Sequence, residues 1–137
     1  MKKICIAAIV LGVMVTAIAI ALDFYVSVSF TNDPIETSWH SGQGNYQGYT
    51  PYHLGNLTED HEYTLEVFCN DGTIEWWNID GAGHNTPKTF TAGSDKRDGY
   101  LVVACYAAYV GYGNGFFQVW EGSTLVGESV FHCTPAE

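Results

Sequence analysis

The clearest strand pattern of this chain lies within the stretch Asn56-Leu57-Thr58-Glu59-Asp60-His61-Glu62-Tyr63-Thr64-Leu65-Glu66-Val67-Phe68-Cys69. From Tyr63 onward the residues alternate, with one side of the extended chain carrying Tyr63, Leu65, Val67 and Cys69. A period of two predicts a half-buried strand. Asn70-Asp71-Gly72 favours a turn, and a second extended run, Thr73–Ile79, follows at once. We therefore predict a β-hairpin on which the other strands pack.

The first half of this stretch carries a family resemblance. Leu57 precedes Tyr63 by six residues, and Tyr63 opens the predicted strand. This spacing resembles the tyrosine corner of fibronectin type III and related immunoglobulin-like sandwiches, where the Tyr hydroxyl bonds to upstream backbone. The resemblance implies an immunoglobulin-like β-sandwich with an adhesive or structural role and no catalytic residue. In that family the strand comes late, whereas here it comes early, so we expect a different strand order.

Composition narrows the class of protein. The 137 residues include nine Tyr, seven Phe, four Trp and 15 Gly, which favour strands and tight turns. The formal net charge is −10. Such a surface repels phosphate backbones, so nucleic-acid binding is not expected.

The first residues have the pattern of an export signal. Met1-Lys2-Lys3 is positive, Ile4–Leu22 is almost entirely apolar, and Ala19-Ile20-Ala21 fits a cleavage site. We predict a signal peptide at residues 1–21, the alternative being a membrane anchor through residues 4–22. Residues 22–137 are then expected to form one domain that is secreted or on the cell surface.

A strand is predicted almost at the start of that domain. One face would carry Phe24, Val26, Val28 and Phe30. It is either an ordinary first strand of a sandwich or an assembly strand that adds to the sheet edge of a neighbouring subunit.

The remaining chain is predicted to be strands and turns without a helix. We expect a long loop over residues 32–55, with a short strand at Ile35–His40. Further strands are predicted at Lys88–Ala92, Tyr100–Val110, Phe116–Glu121 and Thr124–Cys133, the second of them buried on both faces. Short strands separated by regular turns predict an all-β, antiparallel β-sandwich.

Three cysteines follow the leader, namely Cys69, Cys105 and Cys133. In an oxidising compartment one pair is expected to form a disulfide and one thiol to remain. The favoured pairs are Cys69–Cys133 and Cys105–Cys133, because Cys133 would hold the C-terminus. The third thiol would be a small buried side chain or a link between subunits.

No catalytic or metal-binding motif is found. The cysteines and the five histidines lack the spacing of a zinc site, and no Gly-x-Ser-x-Gly elbow is present. We therefore predict no enzyme activity and no metal or other cofactor. Acidic turn residues leave calcium as an alternative, although they also form turns without it: Asp71, Asp80, Asp95 and Asp98.

Two further sets of residues are candidates for the surface. Asn56-Leu57-Thr58 is an N-glycosylation sequon, which places Asn56 at an exposed turn. The tryptophans are candidate contact residues, although core packing is their commoner role: Trp39, Trp76, Trp77 and Trp120.

These observations predict a structural protein of the cell exterior. We expect a subunit of an extracellular filament, pilus-like fibre or surface layer that self-associates through its N-terminal strand and aromatic loops. The alternative is an extracellular module that binds carbohydrate or protein through exposed Trp and Tyr.

Overall fold

The computed structural model describes residues 24–137, which form nine β-strands. They are β1 (Ser27–Phe30), β2 (Ile35–His40), β3 (Asn45–Gly55), β4 (Glu62–Phe68), β5 (Ile74–Ile79), β6 (Lys88–Thr91), β7 (Arg97–Tyr106), β8 (Gly113–Glu121) and β9 (Thr124–Pro135). A 3-10 turn, Ala107–Tyr109, follows β7. This part of the chain is all-β, as predicted, and holds no helix long and apolar enough to cross a membrane. The predicted leader, residues 1–21, lies outside the described residues.

The nine strands form one continuous sheet that folds over on itself. Hydrogen-bonded neighbours follow the order β5-β7-β3-β2-β9-β8-β4-β6, and β1 lies off this path beside β3. Every pair is antiparallel except β2 with β9. The sheet is nearly closed, like a barrel. Its hydrogen bonding does not separate the strands into two sheets, so the predicted sandwich is not confirmed.

The inner faces of the strands meet in one core. Tyr52 on β3 and Phe117 on β8 are fully buried, with ring centroids 4.9 Å apart. The alternation predicted for β4 is confirmed, since Tyr63, Leu65 and Val67 all point inward. Burial of such side chains is the main favourable contribution to folding, at roughly 1.5–3 kcal/mol each.

The predicted hairpin between β4 and β5 is wrong. The strands exist, but β4 pairs with β8 and β6, whereas β5 pairs with β7. The turn instead leads from one side of the core to the other, and Asp71 holds it by accepting a hydrogen bond from the Thr73 N–H at 3.1 Å. Turn residues encode a chain reversal, but they do not encode which sheet edge the next strand joins.

The predicted loop over residues 32–55 is also wrong in its second half. Asn45–Gly55 is an 11-residue strand, β3. Its glycine at position 48 is needed inside the strand, because a Cβ there would collide with the Glu36 carbonyl oxygen of β2. Gly48 therefore marks close approach of two strands and not a break.

The strand predicted at Tyr100–Val110 is observed as β7, which begins and ends earlier. It lies between β5 and β3, as expected for a central strand. Only its inner face is fully buried, because Tyr100 and Tyr106 on the outer face are 43% and 45% exposed. The prediction of burial on both faces is wrong.

The tyrosine-corner hydrogen bond is present. The Tyr63 hydroxyl accepts a hydrogen bond from the Thr58 N–H at 2.8 Å, and Leu57 is buried beside it. The bond holds the connection from β3 to β4 against the core, which is what the resemblance implied.

Replacing Tyr63 by Phe should lower the free energy of unfolding by about 1–3 kcal/mol, since the Thr58 N–H loses its acceptor. Urea unfolding of both proteins would measure this. Tyr112→Phe is the matched control, because Tyr112 is 59% exposed and should change stability by less than about 0.5 kcal/mol. Equal effects of the two substitutions would contradict a stabilising role for the corner.

Candidate assembly site

Residues 24–40, named here the seam segment, close the gap between β3 and β9. β1 pairs with the second half of β3, beginning with Ser27 opposite Gly55. β2 pairs with the first half of β3 and runs parallel to the end of β9. No ladder joins β3 directly to β9 in the described chain. Backbone groups of both strands along this line therefore depend on the seam segment.

The start of the seam segment is held close to β9. The N–H groups of Tyr25 and Val26 both donate to the Val126 carbonyl oxygen at 3.0 Å. Gly127 permits this approach, because a Cβ there would lie 2.7 Å from the Val26 carbonyl oxygen. A side chain at position 127 would therefore push the segment off β9.

Apolar side chains of the seam segment enter the core. Val26 and Ile35 are 4% and 0% exposed. The ring of Phe30 packs edge-on against Phe117 and Phe131, with centroids 5.9 and 6.2 Å away. Each buried side chain is worth on the order of 1.5–3 kcal/mol, which is large against a typical net stability of roughly 5–15 kcal/mol. The segment is thus part of the folded domain.

A polar cluster fastens the outer end of the segment. The Tyr25 hydroxyl donates to Glu121 Oε1 at 2.7 Å and lies 2.9 Å from the Tyr63 hydroxyl. His61 Nδ1 is 2.6 Å from the other carboxylate oxygen of Glu121. Because these partners lie on or just before β4 and at the end of β8, the cluster ties the N-terminus to a distant part of the sheet.

Protonation of this cluster is shifted by its contacts. The hydrogen bond from Tyr25, together with His61, outweighs burial and lowers the pKa of Glu121. Burial and the hydrogen bonds with Tyr63 and Glu121 raise the pKa of Tyr25. At neutral pH the cluster is therefore a neutral tyrosine that donates to an ionised carboxylate.

Three of the four candidate assembly residues pack on the core, and the fourth is exposed. Val26, Val28 and Phe30 pack on the protein's own core. Phe24 precedes β1 and is 40% exposed. The predicted common face is thus observed for three of the four, on the domain's own sheet.

The candidate contact tryptophans also divide. Trp39 is 50% exposed, and Trp76 faces outward, stacked on His84 with centroids 3.7 Å apart. Trp77 is half-buried and packs against the core, and Trp120 is buried. The reason is the strand period, which turns one residue of the Trp76-Trp77 pair inward.

Sequence reasoning missed an outward aromatic row beside Trp76. Tyr49 on β3 and Tyr100 on β7 are exposed, and their rings contact each other edge-on at 6.3 Å. An open groove of about 520 Å³ borders Tyr49 and is also lined by Asn32, Asp33, Pro34 and Glu36. The signal for these exposed rings is the alternation within β7, where the prediction of burial on both faces is wrong.

The glycosylation candidate lies where the sequon predicted. Asn56 is exposed, directly after β3, in a left-handed conformation with φ of 64°. Asn tolerates this conformation better than most residues. Whether a glycan is attached stays a prediction.

The three candidate disulfide cysteines are free thiols near one end of the sheet. Cys105 and Cys133 are buried, and Cys69 is half-buried. Neither of the two favoured bridges is formed in this structure.

A hydrogen-bonded chain of Thr31, His53 and Asp98 has the order of a nucleophile, base and acid. Thr31 Oγ1 is 2.7 Å from His53 Nε2, and His53 Nδ1 is 2.9 Å from Asp98 Oδ1. The nearest backbone donors are already engaged, because the Thr31 and Asn32 N–H groups bond to β3. These two N–H groups are therefore not free to bind the oxyanion that forms in acyl transfer.

The acidic turn residues hold structural hydrogen bonds. Asp80 accepts from Arg97 at 2.9 Å and from the Tyr52 hydroxyl at 2.7 Å, and Asp98 bonds to His53. Within residues 24–137, no group of three or more His, Cys, Asp or Glu side chains is placed to hold a metal ion.

Comparison with known proteins shows a likeness of fold and no family. No family model matches the chain, and no curated protein matches it. A conjugative transposon lipoprotein from Bacteroides eggerthii is similar in structure, with a TM-score of 0.51 and 15% identity over 78% of this chain and 94% of that chain. At this identity the likeness indicates a shared fold.

Two further solved structures resemble this chain with TM-scores below 0.5. One is MyfA, the major subunit of Myf fimbriae from Yersinia enterocolitica, with a TM-score of 0.47 and 18% identity over 83% of this chain and 100% of that chain. The other is a FixG-related protein from Vibrio parahaemolyticus, with a TM-score of 0.48 and 12% identity over 77% and 92%.

The Glu121 cluster predicts an acid-sensitive fold. A carboxylate with a lowered pKa stabilises the fold above its ordinary value of 4.5 and loses that contribution as pH falls through the lowered pKa. Glu121→Gln should therefore destabilise the protein at neutral pH and show a weaker loss of stability on acidification than wild type. Urea unfolding at a series of pH values would measure both effects.

Glu59→Gln is the matched control for this prediction. Glu59 is exposed and has no hydrogen bond or ion pair with the described part of the chain. Its variant should follow the wild-type pH dependence. The same pH dependence for Glu121→Gln would contradict a role of the Glu121 carboxylate.

Proposed function

We propose that this protein is a secreted or cell-surface structural subunit that self-associates by exchanging its N-terminal strand between copies. The observation that supports the proposal is the seam: one N-terminal segment closes the gap between β3 and β9, and its first strand, β1, lies off the main ladder. The location rests on the predicted leader. The proposed role requires no catalytic residue.

Strand exchange needs a strand that can leave and a connection that can act as a hinge. β1 pairs with β3 over four residues, and the two residues just before it, Tyr25 and Val26, donate hydrogen bonds to the Val126 carbonyl oxygen of β9. Residues 31–34, which join β1 to β2, are all exposed. In an exchanged assembly, β1 of one copy makes the same contacts on the next copy, so little interaction energy is lost.

Charge influences how such an assembly forms. Lys and Arg are few in the described chain, namely Lys88, Lys96 and Arg97, and the full sequence has a net charge of −10. Copies therefore repel each other at low ionic strength. Salt at about 0.15 M reduces the screening length to about 8 Å, and assembly is expected to increase with added salt.

A cysteine pair can report directly whether β1 stays on its own domain. Ser27 lies opposite Gly55, and a Cβ at Gly55 would be 4.0 Å from the Ser27 Cβ. This distance fits a disulfide. In the leader-cleaved Ser27→Cys/Gly55→Cys variant with Cys69 replaced by Ser, oxidation of a dilute monomer should link β1 to its own β3 and prevent assembly.

Oxidation after assembly should instead link different copies. Non-reducing gel electrophoresis is then expected to show a ladder of covalent oligomers, and negative-stain microscopy should show the assemblies. The single-cysteine variants Ser27→Cys and Gly55→Cys are the controls and should give at most dimers. Assemblies in which every bond is within one chain, or a monomer at all concentrations and salt levels, would overturn the proposal.

Gly127→Ala provides a second test of the seam. The added methyl group meets the Val26 carbonyl oxygen in the monomer and in the exchanged assembly alike, so it should lower the stability of both and speed the release of β1. Gly93→Ala is the matched control, because a Cβ at Gly93 has no atom within 4 Å. Light scattering should therefore show faster assembly than wild type for Gly127→Ala only.

A second candidate function is binding of a carbohydrate through the outward aromatic row. Trp76 stacked on His84, together with Tyr49 and Tyr100, supplies rings on three neighbouring strands, and an open groove borders Tyr49. Titration with soluble polysaccharides should change tryptophan fluorescence. Trp76→Ala should abolish the change and Trp39→Ala should retain it, whereas no response of wild type to any glycan would exclude this function.

A further inference from the structure

Three cysteines from separate strands converge at the β2 end of the seam. Cys105 lies on β7 and is 0% exposed, and Cys133 lies on β9 and is 4% exposed. Cys69 directly follows β4 and is half-buried. The convergence is not local in sequence, so the fold alone brings these sulfurs together.

The position of Gly113 relates Cys105 to Cys133. Gly113 is the ladder partner of Cys133 across β8 and β9. A Cβ at Gly113 would lie 3.1 Å from Cys105 Sγ, so the Cys105 sulfur sits over the position next to Cys133. Both cysteines are buried. Because Gly113 has no side chain, the space beside it is free for the side chains of Cys105 and Cys133.

Cys69 has different partners. Its Sγ donates to Asp71 Oδ1 at 3.2 Å and lies 3.5 Å from the Asn114 carbonyl oxygen. These contacts belong to the turn after β4 and the start of β8. They give the Cys69 thiol polar acceptors of its own.

We propose that Cys105 and Cys133 form a disulfide bond that joins β7 to β9 across the core, and that Cys69 remains a thiol. β7 and β9 are not ladder neighbours, because β3 and β2 lie between them. The bond therefore connects the two sides of the seam underneath β2. It fixes the β2 end and leaves the β1 end, at Val26 and Gly127, unconstrained.

The oxidation requires a disulfide oxidant, such as an oxidised thiol–disulfide oxidoreductase or a small-molecule disulfide. While the β2 end is still open, one of the two thiols, such as Cys105, loses its proton first. Its thiolate attacks one oxidant sulfur and displaces a thiolate. Cys133 then loses its proton and attacks the Cys105 sulfur, displacing the second thiolate. The protein loses two electrons and two protons, and the oxidant leaves as two thiols.

Burial determines when this reaction takes place. Both sulfurs are covered in the folded domain, so the oxidant must reach them before the β2 end closes. The bond is accordingly formed during folding in an oxidising compartment and resists reduction in the native state.

Peptide mapping tests the pairing. The leader-cleaved protein is exported to an oxidising compartment, denatured, alkylated without reduction and digested for mass spectrometry. We expect a Cys105–Cys133 cross-linked peptide and alkylation of Cys69. A bond that includes Cys69, or alkylation of all three cysteines, would overturn the inference.

Thermal unfolding with and without reductant gives an independent test. Reduction in denaturant followed by refolding should lower the melting temperature by about 10 °C, because the bond closes a loop between positions 105 and 133. Cys69→Ser should show the same drop. Cys105→Ala/Cys133→Ala should show none, and a drop in that variant or its absence in wild type would contradict the bond.

Discussion

The structure depends on satisfying the backbone groups of β3 and β9 along a line where these strands do not pair with each other. An open strand edge buried in a fold costs free energy for every unpaired N–H and C=O. The seam segment supplies partners for both strands, first through β1 and then through β2. The remaining strands already form a ladder from β5 to β3 and from β9 to β6, so closure at this line converts two halves into one domain.

The two ends of the seam are held by different chemistry. At the β1 end, polar clusters predominate: Tyr25 binds Glu121, and Arg97 contacts Asp80 and the ring of Phe90. Such contacts respond to pH and salt. At the β2 end, Ile35 lies beside Cys133 in the parallel ladder, and both side chains are buried. This difference supports the proposal that β1, and not β2, exchanges between copies.

The local sequence pattern was sufficient to locate most strands. It was not sufficient to predict which strands pair. β2 begins and ends where it was predicted, and the inward face of β4 is the predicted one, because the period of two follows from backbone geometry alone. β3 was not predicted because glycines usually interrupt a strand. Gly48 instead lies inside β3, where β2 passes too close for a side chain. The hairpin failed because Asn70-Asp71-Gly72 specifies a turn and not a partner.

The candidate site was predictable only in its parts. The apolar face of Val26, Val28 and Phe30 could be identified from alternation, and so could the turn that exposes Asn56. That this face belongs to the protein's own core, and that Trp120 is buried while Tyr49 and Tyr100 are exposed, depends on which strands lie opposite.

The amino-acid sequence by itself determined the all-β class, the inward and outward faces of the regular strands and the tyrosine corner, since each depends on neighbours a few residues apart. Only the tertiary structure decided the strand order, the closure of the seam and the meeting of Cys105 with Cys133. These depend on contacts between residues far apart in the chain. Such contacts are selected by the packing of the whole core and leave no local pattern.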